Sequence, residues 1–160
     1  MLIKNNKAFT LIELMVVISL LAIILAFALP NISSTLERNK KDQMINDAKD
    51  MVDKAKISDC IKNTESKYKC FLKDIDPKEE IKTSPFGKKY DRGSSYVEVV
   101  RSGSEDVENA VITYTYNVYL KVEDDIMVEG DIMCIGSEGK PIDISKFNES
   151  GKYDYVKQCS

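Results

Sequence analysis

Residues 9–29 constrain this chain more than any other stretch, because Glu13 is the sole ionisable side chain between Phe9 and Leu29. About 20 helical residues rising ~1.5 Å each span about 30 Å, the thickness of a bilayer's hydrocarbon. The segment is therefore long enough to cross a membrane. A carboxylate inside such a run costs roughly 2.5 kcal/mol or more near the helix centre. Glu13 lies near one end, which lowers that cost without removing it. A partner that neutralises it is expected.

The flanking residues narrow the choice. Lys4 and Lys7 form a short basic leader ahead of Ala8-Phe9-Thr10-Leu11-Ile12-Glu13, and Pro30 closes the apolar run. This arrangement resembles the N-terminus of the type IV pilin family, which includes the type II secretion pseudopilins. The resemblance is close from Lys7 to Pro30, and the likeness is to pilins of the Gram-positive type. Ala8 stands where the family usually has Gly, a departure that keeps the residue small.

The resemblance carries specific expectations. A prepilin peptidase cuts between Ala8 and Phe9, and the new Phe9 amine is methylated. That cation lies four residues from Glu13 on the same helical face. In similar fibres the carboxylate of Glu13 pairs with the Phe9 amine of a neighbouring copy, and the helix unwinds near Pro30 during assembly. Breaking one partner of a buried pair costs about 3–5 kcal/mol, which gives copies a reason to stop in one axial register. The implied role is a structural subunit of a type IV pilus, with a secretion pseudopilin or a minor, initiating pilin as the alternative. The implied partners are copies of itself and other pilins, the prepilin peptidase, the inner-membrane assembly platform and, before assembly, the membrane. The N-terminus is then cytoplasmic and the carboxyl side external, ending in an extracellular fibre. Charge counting does not decide this orientation, since Arg38, Lys40 and Lys41 follow the helix as Lys4 and Lys7 precede it.

A conventional signal peptide competes. Ala26-Phe27-Ala28 is an A-x-A cleavage site at the end of an apolar run, and cutting there releases a soluble protein starting at Leu29. Glu13 within the apolar region and Pro30 just past the cut oppose that reading. Ser19, Ala22 and Ala26 also form a small-residue stripe of the kind that lets helices approach closely in lipid, or they are ordinary membrane-helix composition.

Composition removes other classes. Net charge is −3, so a nucleic-acid partner has no electrostatic support. Histidine is absent, which excludes a Ser-His or Cys-His nucleophile pair and an imidazole metal site. No enzyme and no cofactor are expected. Cys60, Cys70, Cys134 and Cys159 all follow the apolar run, and if that part is exported their even number favours disulfides over four buried thiols. Three pairings are open. We favour Cys60–Cys70 with Cys134–Cys159, because the second resembles the C-terminal loop staple of many pilins.

Beyond Pro30 the helix is expected to continue to about Ile57 or Cys60. Met44, Ile45, Ala48, Met51, Val52 and Ala55 make an apolar stripe at helical spacing, opposite a charged face. Measured from Phe9, such a helix is roughly 70–75 Å long. Asp76-Pro77 reads as the cap and first position of a short helix. Ser84-Pro85-Phe86-Gly87 resembles the turn that precedes the first strand in pseudopilins and many Gram-positive pilins.

From Tyr96 the period changes to two. Strands are expected over residues 96–101 and 112–122, with short ones at 126–128 and 132–135. The Ile112, Tyr114, Tyr116, Val118, Leu120 and Val122 face points to the helix stripe. The predicted fold is α+β, a long N-terminal helix packed on a small antiparallel β-meander. Its parts are a leader (1–8), a transmembrane and assembly helix (9–30) and a globular domain (31–160). Within that domain come an amphipathic helix (31–60), a connecting loop (61–95), the meander (96–135) and a C-terminal loop (136–160). Glu123, Asp124, Asp125, Glu129 and Asp131 cluster without the ligand spacing of a calcium loop, and read as solvated turn residues.

Overall fold

A computed structural model describes residues 10–62, 65–103, 112–124, 132–137 and 139–159. Its first element, α1, spans Leu11–Ile57 with helical backbone continuous through Pro30, whose side chain lies outside the described set. The chain divides into two compact units at Arg38/Asn39.

In the first unit the described part is helix alone. Residues 11–27 are exposed all round, as expected of a segment whose side chains are apolar on every face.

The second unit begins with the amphipathic end of α1. Met44, Ile45, Ala48, Met51, Val52 and Ala55 are buried to within 1% of complete exclusion from solvent. Lys54 and Lys56 fall in the last turn, where cations complement the carbonyl end of the helix. The hydroxyl of Ser58 then donates to the carbonyl of Ala55, and the chain leaves through a 3-10 turn at Asp59–Lys62.

The stripe is covered by an antiparallel sheet of six strands: β1 (Lys67–Phe71), β2 (Tyr96–Ser102), β3 (Thr113–Lys121), β4 (Met133–Ile135), β5 (Ile142–Asp143) and β6 (Val156–Gln158). The order is β1-β2-β3-β4-β6, with β5 also paired to β3. Tyr68, Val99 and Tyr116 lie in one register row, as do Cys70, Val97 and Val118, and these rows face the helix. The architecture is α+β, a long N-terminal helix followed by a small antiparallel sheet. Val118, Leu120 and Val122 are wholly buried, whereas Ile112 and Tyr114 at the other end of that face are exposed. A second small core sits on the outer sheet face, where Phe71, Tyr96 and Tyr119 form an aromatic row against Cys134 and Cys159.

Two disulfides tie the unit. Cys60–Cys70 joins the end of α1 to β1, and Cys134–Cys159 joins β4 to the C-terminus, with Cα separations of 6.0 Å and 5.2 Å.

Several local expectations need correction. Residues 61–95 are not loop throughout, since they contain β1 and the short helix α2 (Leu72–Ile75). Residues 136–160 likewise contain β5, β6 and two 3-10 turns. Asp76 caps no helix starting at Pro77. It follows α2, and Glu79 adopts a left-handed φ of 55°, which interrupts any helical run there. The strand expected at 126–128, with Asp125, Glu129 and Asp131, lies outside the described residues.

Asp76 has a different task. Its buried carboxylate accepts hydrogen bonds from the N–H groups of Ile81 (2.9 Å) and Glu80 (3.2 Å) and pairs with Lys54 and Arg92, each at 3.2 Å. One side chain thus binds α1 to the segment that crosses to the sheet. Burial pushes its carboxyl up, but the Ile81 N–H, Lys54, Arg92 and the Glu80 N–H outweigh that and hold it below the usual carboxylate range.

A carboxyl group whose folded pKa is depressed contributes stability above its unfolded pKa, about 3.9, and loses it as pH falls through the folded value. Asp76→Asn is expected to cost about 1–3 kcal/mol at neutral pH, because the Ile81 and Glu80 N–H groups, Lys54 and Arg92 lose the anion they share, while Lys54 keeps Glu80 and Arg92 keeps the carbonyls of Asp76 and Ile81. It should also flatten the acid limb of the stability curve. Denaturant midpoints of both proteins between pH 2 and 7 check this, and parallel curves would refute it.

Candidate functional site: the N-terminal end of α1

The first turn of α1 is closed by its own side chains. Thr10 precedes the helix, and its backbone N–H and its hydroxyl each donate to Oε2 of Glu13 at 2.8 Å. The Glu13 N–H donates back to the Thr10 hydroxyl at 3.3 Å. This reciprocal arrangement is a capping box, Thr at the cap and Glu three residues on, which satisfies donors that have no partner within the helix. Glu13 also lies at the positive end of the helix dipole.

The capping box is the functional feature that the sequence reading missed. Thr10-Leu11-Ile12-Glu13 has the spacing of the motif, and an apolar run follows it as the motif requires. Glu13 therefore holds two hydrogen bonds within its own chain before any second chain is involved.

Around the carboxylate the surface is apolar. Ile12, Val16 and Val17 line a shallow hollow of about 310 Å³ with Glu13 at its edge. Leu11–Ala28 is long and apolar enough to cross a membrane, and none of it is buried. Within it the Ser19 hydroxyl donates to the Met15 carbonyl at 2.8 Å, so this polar group is satisfied inside the helix.

Ala8 and Phe9, the expected processing junction, lie outside the described residues. So does the side chain of Pro30. The structure gathers Thr10 and Glu13 at one helix end. The cysteines belong to the second unit.

Residues 3–29 match the family model described as the prokaryotic N-terminal methylation motif. The motif supports a type IV pilin-like or pseudopilin precursor with a class III leader. No curated protein and no solved structure matches the chain. The family of this motif is structural rather than enzymatic, and pilin-like chains assemble with other pilins after processing by a prepilin peptidase. The apolar helix and the motif fit membrane anchoring before assembly.

Thr10→Ala removes one donor to Glu13 and the acceptor of its N–H, and is expected to loosen the first turn by about 1 kcal/mol. Amide hydrogen exchange over residues 11–14 in detergent micelles should then speed up roughly fivefold, while Thr10→Ser stays near the parent. Unchanged exchange in the Ala variant would show that the cap carries no weight.

Proposed function

We propose that this chain is a structural subunit of a type IV pilus, without catalysis of its own. The methylation motif over residues 3–29, with an apolar helical segment Leu11–Ala28 of which none is buried, carries the reading. An all-exposed apolar helix needs a covering, first lipid and then other helices.

In this reading residues 1–8 are the leader, 9–30 the membrane and assembly helix and 31–160 the globular pilin domain. The peptidase cuts between Ala8 and Phe9, and N-methyl-Phe9 becomes the mature terminus. Glu13 exchanges its Thr10 bonds for the Phe9 amine of a neighbouring copy in the fibre. Pro30, which lacks an N–H for the Ala26 carbonyl, is where the helix opens during assembly. Copies of itself, other pilins, the peptidase and the inner-membrane platform are the partners. The protein passes from the cytoplasmic membrane to an extracellular fibre.

Two substitutions test the reading. Ala8→Leu should accumulate as full-length precursor, whereas Ala8→Gly should mature at least as well as the parent, as intact mass would show. Glu13→Val should be cleaved and stay in the membrane at normal levels, because it makes the span more apolar, yet fibre yield should fall at least tenfold. Normal piliation by the Val protein would sink the register mechanism. A mature mass beginning at Leu29 instead would establish the soluble secreted form.

A further inference from the structure

The triplet Asn-x-Ser occurs twice, at Asn31-Ile32-Ser33 and at Asn148-Glu149-Ser150. In an exported chain it is an acceptor for glycan on the asparagine side chain, provided that it lies on a surface loop. The amide nitrogen is a poor nucleophile, because its lone pair is delocalised into the carbonyl. A transferase must therefore grip and twist the carboxamide, and the hydroxyl two residues on is its handle. Both groups have to be reachable together.

The two triplets sit in opposite settings. Asn31-Ile32-Ser33 lies inside α1, where positions two apart point about 200° from each other around the axis. Asn148 instead ends the 3-10 turn Ile144–Asn148, and Glu149 is extended, with φ −90° and ψ 163°. Gly151, at φ 93°, then turns the chain back. Asn148, Glu149 and Ser150 are all exposed. The turn under them is held in place by the Ser145 N–H, which donates to the Asp143 carboxylate at 2.9 Å, and by Phe147, which is buried.

The side-chain bonding of Asn148 is divided in a useful way. Its Oδ1 accepts from the Lys49 ammonium at 3.3 Å, while Nδ2 and the Ser150 hydroxyl have no partner among the described residues. Modification at Nδ2 consumes neither Oδ1 nor its bond to Lys49. The fold thus orients the carboxamide through one atom and leaves the reacting atom free.

We propose that Asn148 is an N-glycosylation site, modified outside the membrane while the apolar helix still anchors the chain. The co-substrate is a glycan carried on a lipid diphosphate. The Asn148 Nδ2 attacks the anomeric carbon, so a C–N bond forms as the C–O bond to the diphosphate breaks. The lipid diphosphate leaves with the electron pair, and the amide proton passes to a base of the transferase. This inference rests on export of the second unit, which the fibre reading includes, and is independent of the Glu13 site.

The test uses the full chain from the cells that make it. Trypsin should release the peptide Phe147–Lys152 carrying a glycan, and amidase treatment should leave an aspartate in place of Asn148. The peptide containing Asn31 should be unmodified. Ser150→Ala, an exposed change, should lower occupancy of Asn148 roughly tenfold or more, and Ser150→Thr should restore it. An unmodified Phe147–Lys152 peptide, or parental occupancy in the Ala variant, overturns the site. A glycan that alkali releases from Ser150 is O-linked and overturns it too. Protease added to intact cells separates the two failures. Cleavage of the second unit with Asn148 unmodified overturns the site alone, whereas a second unit that protease cannot reach overturns its export and the site with it.

Discussion

Burial of one helix stripe governs the second unit. Met44, Ile45, Ala48, Met51, Val52 and Ala55 recur every three or four residues and present a flat apolar strip that a sheet can cover. The inward rows of β1, β2 and β3 supply that cover with Tyr68, Cys70, Val97, Val99, Val118 and Leu120. Removing one such side chain typically costs 2–5 kcal/mol. The polar contacts along the flanks then set the seat of the helix. Asp47 accepts from the Tyr90 hydroxyl at 2.6 Å, Asp42 from the Tyr153 hydroxyl at 2.8 Å, and Asn148 from Lys49 at 3.3 Å. Burial pushes both the Asp47 carboxyl and the Tyr90 phenol up, so this pair persists as a hydrogen bond instead of an exposed charge.

The N-terminal end of α1 obeys a different constraint. There the apolar side chains have no cover among the described residues, and the carboxylate of Glu13 is satisfied by the residue that starts the helix. Such a cap stabilises the helix end without consuming the exposed apolar face. It leaves that face available to lipid or to other helices, which is what a pilin-like precursor requires of it.

Long-period signals were the readable ones. The α1 stripe spans three turns and the β3 alternation nine residues, so each repeats often enough to separate periods of 3.6 and two. Shorter elements escaped. In β1, Lys67 and Lys69 alternate outward with Tyr68 and Cys70 inward, but a run of five residues does not mark a core face on its own. The two and three residues of β5 and β6 carry no period at all. Asp76-Pro77 fits a helix start as well as a carboxylate folding back on later N–H groups, and only the tertiary cations Lys54 and Arg92 decide between them. At the candidate site, Glu13 stood out because of its cost in lipid. Thr10, whose role depends on an i to i+3 hydrogen-bond exchange, was visible only as part of a family pattern.

The two disulfides have a mechanical consequence. Cys60–Cys70 and Cys134–Cys159 enclose sequence separations of 10 and 25. A tensile load applied between α1 and the C-terminus bypasses both enclosed segments through the sulfur bridges. At about 3.4 Å per extended residue, roughly 120 Å of contour length is thereby withheld from stretching. The stretch that remains extensible lies mainly between residues 70 and 134, where β2 and β3 form the longest ladder of the sheet. Tension falls on that ladder, while β6 and the C-terminal turns stay anchored to β4 until a covalent bond is broken.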